Sequence, residues 1–158
     1  MKTKKGFTLI ELLVVIAIIG ILAVLIIINM NGVRERVRDT QRKSDLSQIK
    51  NALYMYKIEY QTFPINDTSD RIMACNPPSL VDWGMPFKCG SMTYMKILPY
   101  DPGTDFPYRY DQINTGEGFC LIAVFENKSD GDITKSRQKC LDCGTYITSE
   151  SDYVQCEE

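Results

Sequence analysis

Histidine is absent from all 158 residues. Its absence removes the commonest general base and the commonest metal ligand. Cys–His nucleophile pairs, Ser–His–Asp triads and His-bearing zinc sites go with it. No proline occurs before Pro64 and no cysteine before Cys75. The first 63 residues therefore lack both a covalent staple and the strongest helix breaker. Between Phe7 and Met30 there is no lysine or arginine, and one acid, Glu11.

What fills that stretch is apolar. Phe7 to Met30 is 24 residues, enough as a helix rising about 1.5 Å per residue to cross a bilayer core of about 30 Å. A run this apolar is buried in lipid or against copies of itself. Within it, the Glu11 carboxylate costs on the order of 3 kcal/mol unless something offsets it. Either Glu11 lies at headgroup depth, or it meets a positive group from another chain. Cleavage after Gly6 would create such a group, a free amine on Phe7. A conventional secretory signal fits Lys2, Lys4 and Lys5, but not the length of the run or the missing A-x-A-like cleavage site after it.

Lys4-Lys5-Gly6 followed by Phe7-Thr8-Leu9-Ile10-Glu11-Leu12-Leu13 resembles the class III signal of type IV pilins and type II secretion pseudopilins. The resemblance implies cleavage between Gly6 and Phe7 by a prepilin peptidase and N-methylation of Phe7. It also implies that Glu11 pairs with the Phe7 amine of a neighbouring subunit. Gly6 and Phe7 are then substrates of another enzyme, and no residue here is catalytic.

A second pattern follows the first. Leu46, Ile49, Leu53, Tyr56, Tyr60 and Phe63 fall at spacings of 3, 4, 3, 4 and 3, one apolar stripe of an amphipathic helix. Lys43, Asp45, Lys50, Lys57 and Glu59 take the opposite face. Asn31-Gly32 weakens the helix without ending it, whereas Pro64 disfavours helical geometry at Phe63. One helix from about Phe7 to Gln61 is predicted. The stripe is too short for a coiled coil, so it packs on its own domain. The mixed charges from Arg34 to Asp45 read as a solvated helix face, or as pairs between helices of a filament, before a nucleic-acid patch.

Beyond the helix, residues 64–92 read as loop. Asp101-Pro102-Gly103 is a turn in which the Asp side chain bonds its own backbone. Tyr108-Arg109-Tyr110, Gly118 to Glu126, Thr145 to Thr148 and Tyr153 to Cys156 read as strands, with a turn over Asn127 to Asp132. The fold class expected is α+β: a long N-terminal helix packed on a small antiparallel sheet. Leu98-Pro99-Tyr100-Asp101-Pro102 with Tyr108-Arg109-Tyr110 resembles the LP-x-DP…Y-x-Y segment of major pseudopilins, with Gly103 where that segment has Trp. The domains expected are a leader (1–6), a transmembrane or filament-core helix (7–30), an amphipathic half (31–62) and a globular head (63–158).

Six cysteines lie in the last 84 residues, an even count that reads as disulfides and an oxidising compartment. Cys75–Cys89 is the expected bridge, closing a proline-rich loop with about 3 kcal/mol of chain-entropy stabilisation. Cys140-Leu141-Asp142-Cys143 is redox-active, half of an all-cysteine zinc site, or structural; the last is expected because no βαβ context accompanies it. Whether Cys120 or Cys156 joins Cys140 or Cys143 stays open. Asp130 and Asp132 are the calcium candidates. EF-hand spacing is not met, so a plain turn and no cofactor are expected. Asn66 and Asn127 head glycosylation sequons by pattern alone.

Net charge is −2; without Lys2, Lys4 and Lys5 it is −5, which argues against a dedicated nucleic-acid binder. The function expected is a structural subunit of a type IV pilus-like filament, not an enzyme. The alternatives are a type II secretion pseudopilin driving export, a DNA-uptake pilin and a thiol-dependent enzyme. Expected partners are copies of itself, related pilins, the prepilin peptidase, the membrane and assembly machinery. The location expected is the cytoplasmic membrane, C-terminal side outside, and then a cell-surface filament.

Overall fold

The computed structural model describes residues 7–103 and 107–157; the side chains of 25–31 also fall outside the description. The chain divides into two compact units, Met1–Glu35 and Arg36–Glu158. Helix α1, Leu9–Tyr60, contributes to both. In the first unit the described apolar side chains of α1 are exposed, from Leu9 at 81% to Val24 at 56%. Among the described residues no helix is long and apolar enough to cross a membrane. The expected span, 7–30, continues past Val24 into side chains outside the description.

In the second unit the predicted stripe of α1 is the core. Leu46, Ile49, Leu53, Tyr56 and Phe63 are buried, with Ala52 beside them and Tyr60 half-buried against them. The helix stops where Gln61 turns left-handed, φ 61°, and Pro64 follows. A left-handed residue just past the last turn is a common helix stop. Asp45 departs from the expected polar face: it is buried.

The stretch 64–92 is not loop, because it carries four short strands and the first residue of a fifth. β1 (Ile65–Asn66), β2 (Ile72–Ala74) and β3 (Ser79–Val81) form one antiparallel sheet; β4 (Phe87–Cys89) and β5 (Met92–Met95) form a hairpin around Gly90, φ 60°. Strands of two to four residues are too short to show alternation in the sequence, and Pro77, Pro78 and Pro86 between them read as punctuation. Their inward residues, Ile72, Ala74 and Phe87, are fully buried.

β6 (Arg109–Ile113), β7 (Gly118–Val124) and β8 (Asp152–Cys156) form the third sheet, antiparallel in that order, with Tyr110 opposite Leu121 and Cys120 opposite Cys156. β7 is apolar throughout because both its faces are covered. Phe119, Leu121 and Ala123 join the core shared with α1, whereas Cys120 and Ile122 join a second cluster with Cys140, Cys143, Val154 and Cys156.

That second cluster explains two departures from expectation. Helix α2, Gly131–Lys139, begins inside the predicted turn. Asp130 caps it, accepting a bond from the Asp132 backbone at 2.9 Å; the helix buries only Ile133 and Ser136 and so has no apolar stripe to read. The predicted strand at Thr145 to Thr148 is not formed: Thr145 and Tyr146 end a 3-10 helix, Leu141–Tyr146, and Ile147 and Thr148 follow it in neither helix nor strand. The bridges Cys120–Cys143 and Cys140–Cys156 hold this segment compactly on the sheet. Cys75–Cys89 is the third bridge, and all six cysteines are paired.

Candidate functional site

Two sites carry the features singled out by the sequence. The first is the start of α1. Glu11 Oε2 accepts bonds from the Thr8 backbone N–H at 2.8 Å and from Thr8 Oγ1 at 2.7 Å, while the Glu11 N–H donates to Thr8 Oγ1 at 3.3 Å. This is a capping box, in which two orphan donors of the first turn are satisfied reciprocally. The spacing Thr8-Leu9-Ile10-Glu11 before an apolar run is its sequence signature. Phe7 lies just before the helix, 84% exposed; Gly6 lies outside the described residues. Thr8 and Glu11 both follow the Gly6–Phe7 bond, so cutting that bond leaves the cap in place.

The second site is a buried ionic clamp in the head. Arg42 is 3% exposed. Its Nε and Nη2 donate to Asp101 Oδ2 and Oδ1 at 2.8 and 2.7 Å, its Nη1 to Asp39 at 2.7 Å, and Nη2 also to Glu126 at 2.9 Å. Arg38 grips Glu126 with both arms. Asp39, fully buried, accepts backbone N–H bonds from Glu126 and Asn127 at 3.0 and 2.8 Å. Asp45 accepts from the Tyr108 hydroxyl at 2.7 Å. The charges from Arg38 to Asp45 are therefore not a solvated face. Arg38, Asp39, Arg42 and Lys43 join α1 to the Asp101 turn and to the chain leaving β7, where each finds an opposite partner or a backbone donor, and Asp45 joins α1 to the Tyr108 hydroxyl.

The electrostatics follow from those partners. Burial opposes the Arg42 charge, but the hydrogen bonds it donates to Asp101 and Asp39 outweigh it and raise its pKa. The bond from Arg38, with help from Arg42, pulls Glu126 down to about 2. Burial, and then the Asp45 carboxylate, raise Tyr108. Gly103 donates its N–H to Asp101 Oδ1 at 2.7 Å, the self-bonding turn predicted there. A Cβ on Gly103 would stand 2.6 Å from Arg42 Nη2. Any side chain at this position therefore requires the Arg42 guanidinium to shift from where it holds Asp101.

Asp130 and Asp132 do come together, around the Lys43 ammonium at 2.9 and 2.6 Å. Burial opposes the Lys43 charge, and the two carboxylates restore and raise its pKa. Among the described residues no group of metal-ligating side chains is assembled. The Cys-x-x-Cys pair is split between two bridges and not joined to itself. Asn66 Nδ2 is tied to Asp111 at 3.1 Å, and Asn127 Oδ1 accepts from the Ser129 N–H at 3.3 Å in a local turn.

Comparison with known proteins places these features in a family. The model of the prokaryotic N-terminal methylation motif matches residues 1–27. Type II secretion system core protein G of Aeromonas hydrophila is 32% identical over 131 residues, 83% of this chain and 87% of that protein. The Escherichia coli protein of that name is 35% identical over 72% of this chain and 74% of its own length. The Pseudomonas aeruginosa protein is 32% identical over 82% and 89%. No solved structure matches significantly. With relatives this similar over most of both lengths, the chain belongs to the type II secretion system core protein G family of pilin-like proteins.

Proposed function

We propose that the chain is a structural subunit of a type II secretion pseudopilus and works by assembly, with no catalytic role. The pilus and secretion expectations share the pilin-like subunit, and the relatives favour secretion. The observation that carries the proposal is the identity to core protein G over most of the chain. The exposed apolar side chains of Leu9 to Val24 support it, since a helix this greasy needs lipid or protein around it.

In this reading the leader, 1–6, is removed after Gly6 at the cytoplasmic membrane, and Phe7 becomes the methylated N-terminus. Leaving lipid for the company of other subunits keeps the apolar helix buried throughout, so extraction exposes little new surface to water. The Phe7 ammonium of a neighbour pairs with Glu11. Both Thr8 bonds fall on Oε2, so an ammonium can add at Oε1 without undoing the cap. A misplaced subunit leaves a charge unpaired in an apolar setting, which sets the register. The head, held by three bridges, faces the oxidising side.

Deleting the chain from a cell with this secretion machinery tests the proposal. Exported proteins should accumulate inside, and re-expression should release them. Unchanged export with loss of long surface fibres would instead support the pilus reading.

A further inference from the structure

The three bridges of the head do not meet solvent alike. Cys120 and Cys143 are 0% exposed, Cys140 4% and Cys156 7%. All four lie in the second apolar cluster with Ile122 and Val154, and Tyr146 and Ile147 pack against it. In the third bridge Cys89 is 8% exposed, whereas its partner Cys75 is half-buried, the one cysteine of the six that is not buried. Cys75 also lines a groove of about 390 Å³ with Tyr60, Ile65, Met73 and Pro78, which leaves room for a second molecule beside it.

The backbone singles out the same residue. Cys75 has φ 80°, in the left-handed region that a residue carrying a Cβ seldom adopts. No other cysteine of the chain does so. Exposed bridges and bridges under strain are the ones that exchange readily. Cys75 follows β2 and Cys89 ends β4, so this bridge joins two sheets that share no strand pairing. Both sides also rest on α1. The Tyr56 hydroxyl accepts the Cys75 N–H at 3.3 Å, and the Tyr56 ring stacks on Phe87 with centroids 5.8 Å apart. These contacts do not need the S–S bond, so the tie can be cut while the head stays folded.

We propose that Cys75–Cys89 is a thiol–disulfide exchange site, the bridge that an external dithiol opens while the other two stay shut. A thiolate of the dithiol attacks Cys75 Sγ. The Cys75–Cys89 bond breaks, and its electron pair leaves on Cys89, which takes up a proton. The second thiol of the reagent then displaces Cys75, which is protonated in turn. The reagent departs as its own disulfide, so two electrons and two protons have passed to the chain. The site does not rest on the secretion reading, since it uses only the bridges of the head.

Graded dithiothreitol on the full chain in detergent tests it, with free thiols capped by N-ethylmaleimide and tryptic peptides weighed. Cleavage after Lys88 puts Cys75 and Cys89 on different peptides. Capping of these two is expected about tenfold faster than capping of the other four, with a cooperative thermal melt retained. Reduced glutathione, a single thiol, should leave its adduct on the Cys75 peptide. Capping of Cys120, Cys140, Cys143 or Cys156 first or at an equal rate, capping only after the head has unfolded, or an adduct on Cys89 would each overturn the proposal.

Discussion

Arg42 and Asp101 meet fork to fork, at 2.8 and 2.7 Å, across 59 residues of sequence. One partner lies on the helix and the other in the turn between β5 and β6. Removing the guanidinium with Arg42→Ala strands Asp39 and Asp101 in a buried setting, and a loss of about 3–5 kcal/mol is expected. Arg42→Lys keeps the charge and loses the planar fork, so it should rescue only part. Urea unfolding of the full chain in detergent, followed by the single Trp83, reads both; Trp83 is buried edge-on to Tyr108. Arg42→Ala at wild-type stability would contradict the clamp.

Gly103 is expected to be intolerant for a reason that depends on Arg42. Gly103→Ala places a methyl 2.6 Å from Nη2 and should cost about 1–3 kcal/mol. In an Arg42→Ala background that cost should largely vanish, giving a coupling above about 0.5 kcal/mol in a double-mutant cycle. Additive effects would show that the methyl clashes elsewhere.

Two carboxylates make the head respond to pH in opposite directions. Burial, with Asp70 nearby, raises Asp111 from 3.8 to about 6. The folded head holds the proton more tightly than the unfolded chain, so stability falls as pH rises from 3.8 through about 6. Asp111→Asn keeps an oxygen for the Asn66 bond and drops the charge. It should stabilise by on the order of 1 kcal/mol at pH 8, after screening by solvent, and give little at pH 3. Glu126 runs the other way. Its pKa is lowered from 4.5 to about 2, so the stability it contributes is complete above about 4.5 and lost as pH falls through about 2. Thermal melts across pH, with and without Asp111→Asn, separate the two.

At the start of α1, Glu11→Ala should leave cleavage after Gly6 intact and impair assembly. Thr8→Ala removes the reciprocal cap alone, a change of about 1 kcal/mol in the first turn, and should assemble better than Glu11→Ala. Mass spectrometry of the N-terminus scores cleavage, and sedimentation of filaments scores assembly. Equal assembly defects in the two variants would mean that Glu11 acts only through the cap.

Much of this was legible in the residues. The 3-4 spacing from Leu46 to Phe63 named the buried face of α1, and the apolar run of Gly118 to Glu126 named the central strand. What escaped was set by distant partners. Asp39, Arg42 and Asp45 look solvated in sequence, because Asp101, Glu126 and Tyr108, which bury them, lie 59 to 87 residues away. α2 escaped because its polar face hides its period, and the 3-10 helix at Leu141–Tyr146 because two disulfides shape it. Cys75–Cys89 was readable from one stretch of sequence; the other two bridges needed the position of Cys140 and Cys143 beside β7 and β8.

The N-terminal mass of protein recovered from cells with an active secretion machinery tests the central claim most directly. A chain beginning at methylated Phe7 is the result predicted. A chain that still begins at Met1, or one cut beyond Phe7, would contradict it.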